Sequence, residues 1–155
     1  MKVQVAQPED VGFWLGLAAE VEHLFGPMVS DPKFRSALMR NVDRGSAFCI
    51  RESDGPAGAP LLAGVLFSAK PPAYKIGWMS VAQRQRRHGL GTILLAHVMS
   101  EVIPPAEVSV ATFGSDVAEG APARKFYLAA GFIPAEITDG GPEGRSKQIF
   151  RKAIE

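Results

Sequence analysis

Seven residues near the middle of the chain, Arg86-Arg87-His88-Gly89-Leu90-Gly91-Thr92, join a strand-like run to a helix-like run through glycines and positive charge. Residues 74–82 are rich in aromatic and β-branched types and read as a strand. Residues 90–103 carry apolar side chains at Leu90, Leu94, Leu95, Val98 and Val102, the spacing of a helix. The glycines therefore stand at a helix start, where the first amide N–H groups lack intrahelical partners and the helix adds partial positive charge. An anion placed there is bonded by backbone, and Gly89 and Gly91 carry no Cβ to hold it off.

The neighbouring residues narrow the kind of phosphate ligand. A P-loop needs a lysine after its last glycine, and Gly91 is followed by Thr92 and Ile93. The dinucleotide fingerprint needs GxGxxG with an acidic residue about 20 positions on, and here a single GxG follows arginines. What fits is a strand ending in Val81, Arg86 five residues later, then x-x-Gly89-x-Gly91 and a leucine-rich helix. A second run, Ala123-Arg-Lys-Phe-Tyr-Leu-Ala-Ala-Gly-Phe132, follows a further strand over 107–113. In both runs the chain resembles the GNAT superfamily of N-acetyltransferases, whose acetyl-CoA pyrophosphate loop and later A-x-x-F-Y-x-x-x-G-F helix have this order and spacing. The resemblance covers residues 74–132 well and the first 73 by the order of elements alone.

Element signals along the chain agree with that order. A strand over 2–7 precedes Pro8-Glu9-Asp10, a helix-opening signal, and one helix is expected to run to Phe25. Gly26-Pro27 breaks it, and Asp31-Pro32 opens a second helix over 33–42. Strands are expected at 46–52, 60–69 and 74–82, then the helix from Leu90, the strand 107–113, the helix 122–130, and strands 132–137 and 147–154 around a glycine-rich loop at 139–145. This is an α+β chain with a mixed central sheet flanked by helices, in the order β-α-α-β-β-β-α-β-α-β-β. At 155 residues it reads as a single domain, 1–155, with no linker or repeat.

Charge and cysteine usage set further bounds. With 17 Lys+Arg against 16 Asp+Glu the net charge is +1, so no global field draws the chain to nucleic acid or membrane. A nucleic-acid module built on Arg84, Arg86 and Arg87 would need interleaved aromatics and a second basic cluster, and the sequence has neither. The one cysteine, Cys49, cannot form an internal disulfide and suits a reducing cytoplasm. Acidic residues at positions 9 and 10 stand where a signal peptide needs an apolar core, so a soluble cytoplasmic protein is expected. No metal ligand set is assigned, and a homodimer is allowed for.

The resemblance implies roles residue by residue. Arg86, Arg87, His88, Gly89, Leu90, Gly91 and Thr92 would hold the diphosphate of acetyl-CoA, with Arg124 beside them, and the backbone of Val81 would pair with the pantetheine amides. Tyr127 would give or share a proton with the departing thiolate, since a phenol of pKa about 10 is protonated at pH 7. The acceptor would be a small-molecule or peptide amine. An ammonium of pKa about 10.4 is neutral roughly once in 10³ at pH 7, a penalty of roughly 4–5 kcal/mol that a base or a dry site must reduce. On a helical wheel over 11–25, Glu22 falls inside the edge of the apolar arc beside Leu15, either as a helix-edge carboxylate reaching water or as part of the acceptor pocket, where it is the candidate base with water as the alternative. Phe25 and Met28 in the Gly26-Pro27 turn are the expected acceptor walls, and Trp78 on the central strand is either a further wall or, the favoured reading, core packing. A noncatalytic acyl-CoA sensor would keep the same loop without using Tyr127.

Overall fold

Two breaks in otherwise regular elements shape the molecule, one in the first helix and one in the central strand. A computed structural model describes residues 1–138 and 146–155. In chain order the elements are β1 (Gln4–Val5), α1 (Val11–Ala19), α2 (Glu22–Phe25), α3 (Pro32–Arg44), β2 (Ala47–Arg51), β3 (Leu61–Lys70), β4 (Ala73–Val81), α4 (Leu90–Ser100), β5 (Ala106–Phe113), α5 (Ala121–Ala129), β6 (Ile133–Thr138) and β7 (Lys147–Ile154). The expected order stands except that the first helix is two. The loop expected at 139–145 lies outside the described residues.

The seven strands form one sheet in the order β1-β2-β3-β4-β5-β7-β6. Every pairing is antiparallel except β4 with β5, the two strands joined by the α4 crossover. Strand β2 is buried throughout, and its side chains alternate between two cores. Phe48 and Ile50 meet Leu90, Leu94 and Val98 of α4 on one face, while Ala47 and Cys49 meet Trp14 and Leu17 of α1 and Leu38 and Val42 of α3 on the other. Tyr127 of α5 and Phe150 of β7 join the α4 core. Helices α4 and α5 thus cover one face of the sheet, and α1 and α3 cover the other.

The break in the first helix falls at Glu20–Val21, where Val21 takes φ −115°, ψ 9°. Periodicity could not show it, because Val11 to Ala19 is apolar almost all round and has no sharp face to interrupt. The break in β4 is a bulge. Leu66 pairs with Trp78 and Phe67 with Ile76, so Gly77 is the extra residue. Pairing of β4 with β5 also ends at Ile76, opposite Val110, although β4 runs on to Val81 and β5 to Phe113. Beyond the bulge the two parallel strands separate, and a cleft opens in the sheet.

One buried ion pair fixes the N-terminal edge. Arg51 Nη2 lies 2.7 Å from Asp10 Oδ2, with side chains 4% and 1% exposed. Arg51 also donates to Gln4 Oε1 at 2.6 Å, and Asp10 accepts from the amides of Gln7 and Gly58. Burial pulls the Asp10 carboxyl upward, but the Arg51 hydrogen bond and the two backbone donors outweigh it and leave the group below its ordinary 3.8. Removing one partner strands the other charge, so Arg51→Ala is expected to cost about 3–5 kcal/mol in urea unfolding. Because the folded-state pKa of Asp10 is depressed, its contribution is fully present above pH 3.8 and is lost as pH falls through the lower folded value. Unfolding free energies measured between pH 5 and 2 should therefore decline less steeply in Asp10→Asn than in the unchanged chain.

Candidate functional site

The cleft encloses about 610 Å³ and is lined from both faces of the sheet. Val21, Leu24 and Phe25 come from the α1–α2 side, Met79, Ser80 and Val81 from β4, Phe113 from β5, and Pro122, Ala123, Phe126 and Tyr127 from α5. Arg86, Arg87, Gly89, Leu90, Gly91 and Thr92 close the end at α4. Its size is that of a ligand site, and its walls are mostly apolar with cations gathered at one end.

The cationic end is built by the turn between β4 and α4. Gly89 caps the helix in the left-handed region, φ +79°, and no side chain caps it. The first intrahelical bond runs from Ile93 N–H to Gly89 C=O, so the amides of Leu90, Gly91 and Thr92 precede it without helical acceptors. Arg87 is also left-handed, φ +69°, a conformation rare outside glycine that concentrates at ligand-binding turns. Gly91 faces the Phe126 ring of α5, and a Cβ there would meet it at 3.4 Å, an ordinary van der Waals contact. Arg86 Nε donates to Val81 C=O at 3.4 Å, tying the turn to the end of β4.

Of the residues expected around the cofactor, Val81, Arg86, Arg87, Gly89, Leu90, Gly91 and Thr92 line the cleft. His88 does not; its Nδ1 is 3.2 Å from Gln85 C=O. Arg124 is also elsewhere. It donates to Phe113 C=O at 3.0 Å and Gln148 Oε1 at 2.7 Å, lies over the Phe150 ring, and borders a separate hollow of about 210 Å³ against α5. Its partners on β5 and β7 hold it on the strand side of α5, so it joins helix to sheet. Tyr127 is 6% exposed between the edges of Phe126 and Phe132, at 5.1 and 5.5 Å between centroids. Burial pushes its phenol well above the ordinary 10.

The acceptor-side expectations fare differently. Glu22 does not line the cleft, because the helix break turns it toward the following loop. Its Oε2 accepts from the amides of Met28 and Val29 at 2.5 and 3.0 Å, and those bonds hold the carboxyl below its ordinary 4.5. A carboxylate so occupied is a weaker base than a free one. Trp78 packs against Trp14 and Phe34, 5.7 and 6.0 Å between centroids, and walls the second core. Met28 is buried with Ala18 and Val21 beneath the same rings. Phe25 does reach the cleft, stacked on Phe113 at 5.0 Å. The sequence reading assigned no site role to Phe113, Ser80, Leu24 or Phe126, all of which line the cleft. Only Phe126 had a signal, the F-Y pair within the motif; the other three come together through the strand separation.

Comparison with known proteins agrees with this geometry. The model of the acetyltransferase (GNAT) family matches residues 14–132, and the chain belongs to that family. Its members move an acetyl group from acetyl-CoA to an amine, and this chain is an N-acetyltransferase by membership. No curated protein matches it in sequence. A GNAT-family acetyltransferase from Bacillus cereus ATCC 10987 superposes with a TM-score of 0.73 at 17% identity, covering 99% of this chain and 97% of that one. The ribosomal-protein-alanine N-acetyltransferase of Brucella melitensis gives 0.76 at 14%, covering 99% and 100%. Arabidopsis thaliana Naa50, solved with the bisubstrate analogue CoA-Ac-MVNAL, gives 0.72 at 16%, covering 99% and 98%.

The residues present suit acetyl-CoA. Free amides at an uncapped helix start and two arginines face one end of a cleft long enough to take an extended thioester arm. Gly89→Val forces a β-branched residue to φ +79° and is expected to cost about 1–3 kcal/mol of stability. It should also shrink the thermal shift that CoA produces. An equal CoA shift in both proteins would remove the loop from the diphosphate site. For Glu22, Ala should lower the melting temperature more than Gln, which keeps one oxygen for the Met28 and Val29 amides; the reverse order would show that the two bonds do not hold the loop.

Proposed function

We propose that this N-acetyltransferase holds acetyl-CoA in the split between β4 and β5, transfers the acetyl group directly to a primary amine, and uses Tyr127 to assist the leaving sulfur. Bound acetyl-CoA supplies an activated acetyl carbon, which bonds to the amine nitrogen as the carbon–sulfur bond breaks. The amides of Leu90, Gly91 and Thr92, with Arg86 and Arg87, bind the diphosphate. Backbone groups of β4 beyond Gly77, unpaired toward β5, bond the amides of the arm as a neighbouring strand would.

The observation that carries this reading is the setting of Tyr127. It is buried at the cleft wall, and its hydroxyl bonds to no described residue. Burial keeps it protonated across the neutral range. A full proton transfer from so weak an acid to a thiolate, whose thiol has pKa about 8.5, is uphill. The hydroxyl instead donates a hydrogen bond that strengthens as negative charge grows on sulfur. The nitrogen sheds its second proton to water and the sulfur leaves as a thiolate held by that hydrogen bond, so protons and charge balance. Glu22 is assigned to holding the loop, and loss of the ammonium proton is assigned to water at the cleft mouth.

Tyr127→Phe should slow kcat by about 10²–10⁴-fold with CoA affinity and melting temperature unchanged. Because the folded phenol is pushed above its ordinary 10, kcat should not fall through phenol ionisation between pH 7 and 10. A Phe variant with full activity would favour the noncatalytic use of this tyrosine.

A further inference from the structure

The two ends of the cleft differ in chemistry. Cations and free amides gather at the α4 end, whereas Leu24, Phe25, Phe113 and Val21 form an apolar wall at the α2 end. Phe25 stacks on Phe113 at 23° between planes yet remains 40% exposed, leaving ring surface for a ligand. Ser80 of β4 also lines the cleft. It follows Trp78 by two residues and so shares its α1-facing side, and its side chain bonds to no described residue. Its hydroxyl is thereby available to a ligand in the cleft. The nearby Glu22 carboxylate is turned to the Met28 and Val29 amides.

Resting on the acetyl-transfer reading, we propose that the acceptor is a primary amine with an apolar group on the carbon next to nitrogen. That group packs against Leu24, Phe25 and Phe113, and Ser80 Oγ accepts a hydrogen bond from the amine. A polyamine would set its extra charges against this apolar wall, and a small polar amine leaves the wall unfilled.

Leucinamide and glycinamide present the same amine and differ by one isobutyl group, and spermidine is the polycationic contrast. Free-thiol release with acetyl-CoA should give a kcat/KM for leucinamide about 10- to 100-fold above glycinamide and above spermidine. Phe25→Ala, at an exposed position, should bring the leucinamide-to-glycinamide ratio toward one while the CoA thermal shift persists. Ser80→Ala should raise the KM for leucinamide more than it lowers kcat. No transfer to leucinamide, equal rates for the amines, or preference for spermidine would overturn the acceptor assignment while a CoA thermal shift leaves the cofactor reading standing. Absence of any CoA shift would overturn both.

Discussion

The separation of β4 from β5 is the constraint on which the site depends. A parallel pair normally continues as far as both strands run, since each buried N–H and C=O left unpaired costs free energy. Here pairing stops at Ile76 opposite Val110, and the extra residue at Gly77 re-aims β4. The sheet tolerates the loss because β3 pairs with β4 through Val81 and β7 pairs with β5 through Phe113. Each strand of the split is thus held from its outer side. The inner edges remain open to a ligand that can offer amides of its own.

Helices then furnish the split with chemistry. Helix α4 presents an uncapped N-terminus because Gly89 brings no side-chain acceptor, and α5 presents Phe126 and Tyr127 to the cleft. On the opposite face the Glu22 bonds to Met28 and Val29 fix the loop that follows α2. Phe25 thereby meets Phe113 across the opening. The Asp10–Arg51 pair secures the far edge of the sheet, away from the cleft.

The turn between β4 and α4 was legible in the sequence because its features are local: glycines, arginines and a helix start lie within seven residues. Strand and helix positions were legible for the same reason, with boundaries shifted by one to three residues. The acceptor side was not. The wheel that put Glu22 in an apolar arc assumed one helix over 11–25, and the break at Glu20–Val21 leaves no mark in so apolar a segment. Arg124 looked like a free cation beside Tyr127, yet its partners are Phe113 and Gln148, 11 and 24 residues away. Trp78 went to the core because Trp14 and Phe34 were already there. Each of these outcomes is set by contacts distant in sequence, which neither periodicity nor spacing encodes.

A cleft lined from both faces of the sheet has a consequence for traffic through the enzyme. On the proposed reading, the long thioester arm and the amine enter from opposite sides, so neither vacates its place for the other. Both reactants would then reside together, and the group would pass between them without being parked on a side chain. The sheet in this way acts as a partition with a window, and Tyr127 stands on its sill.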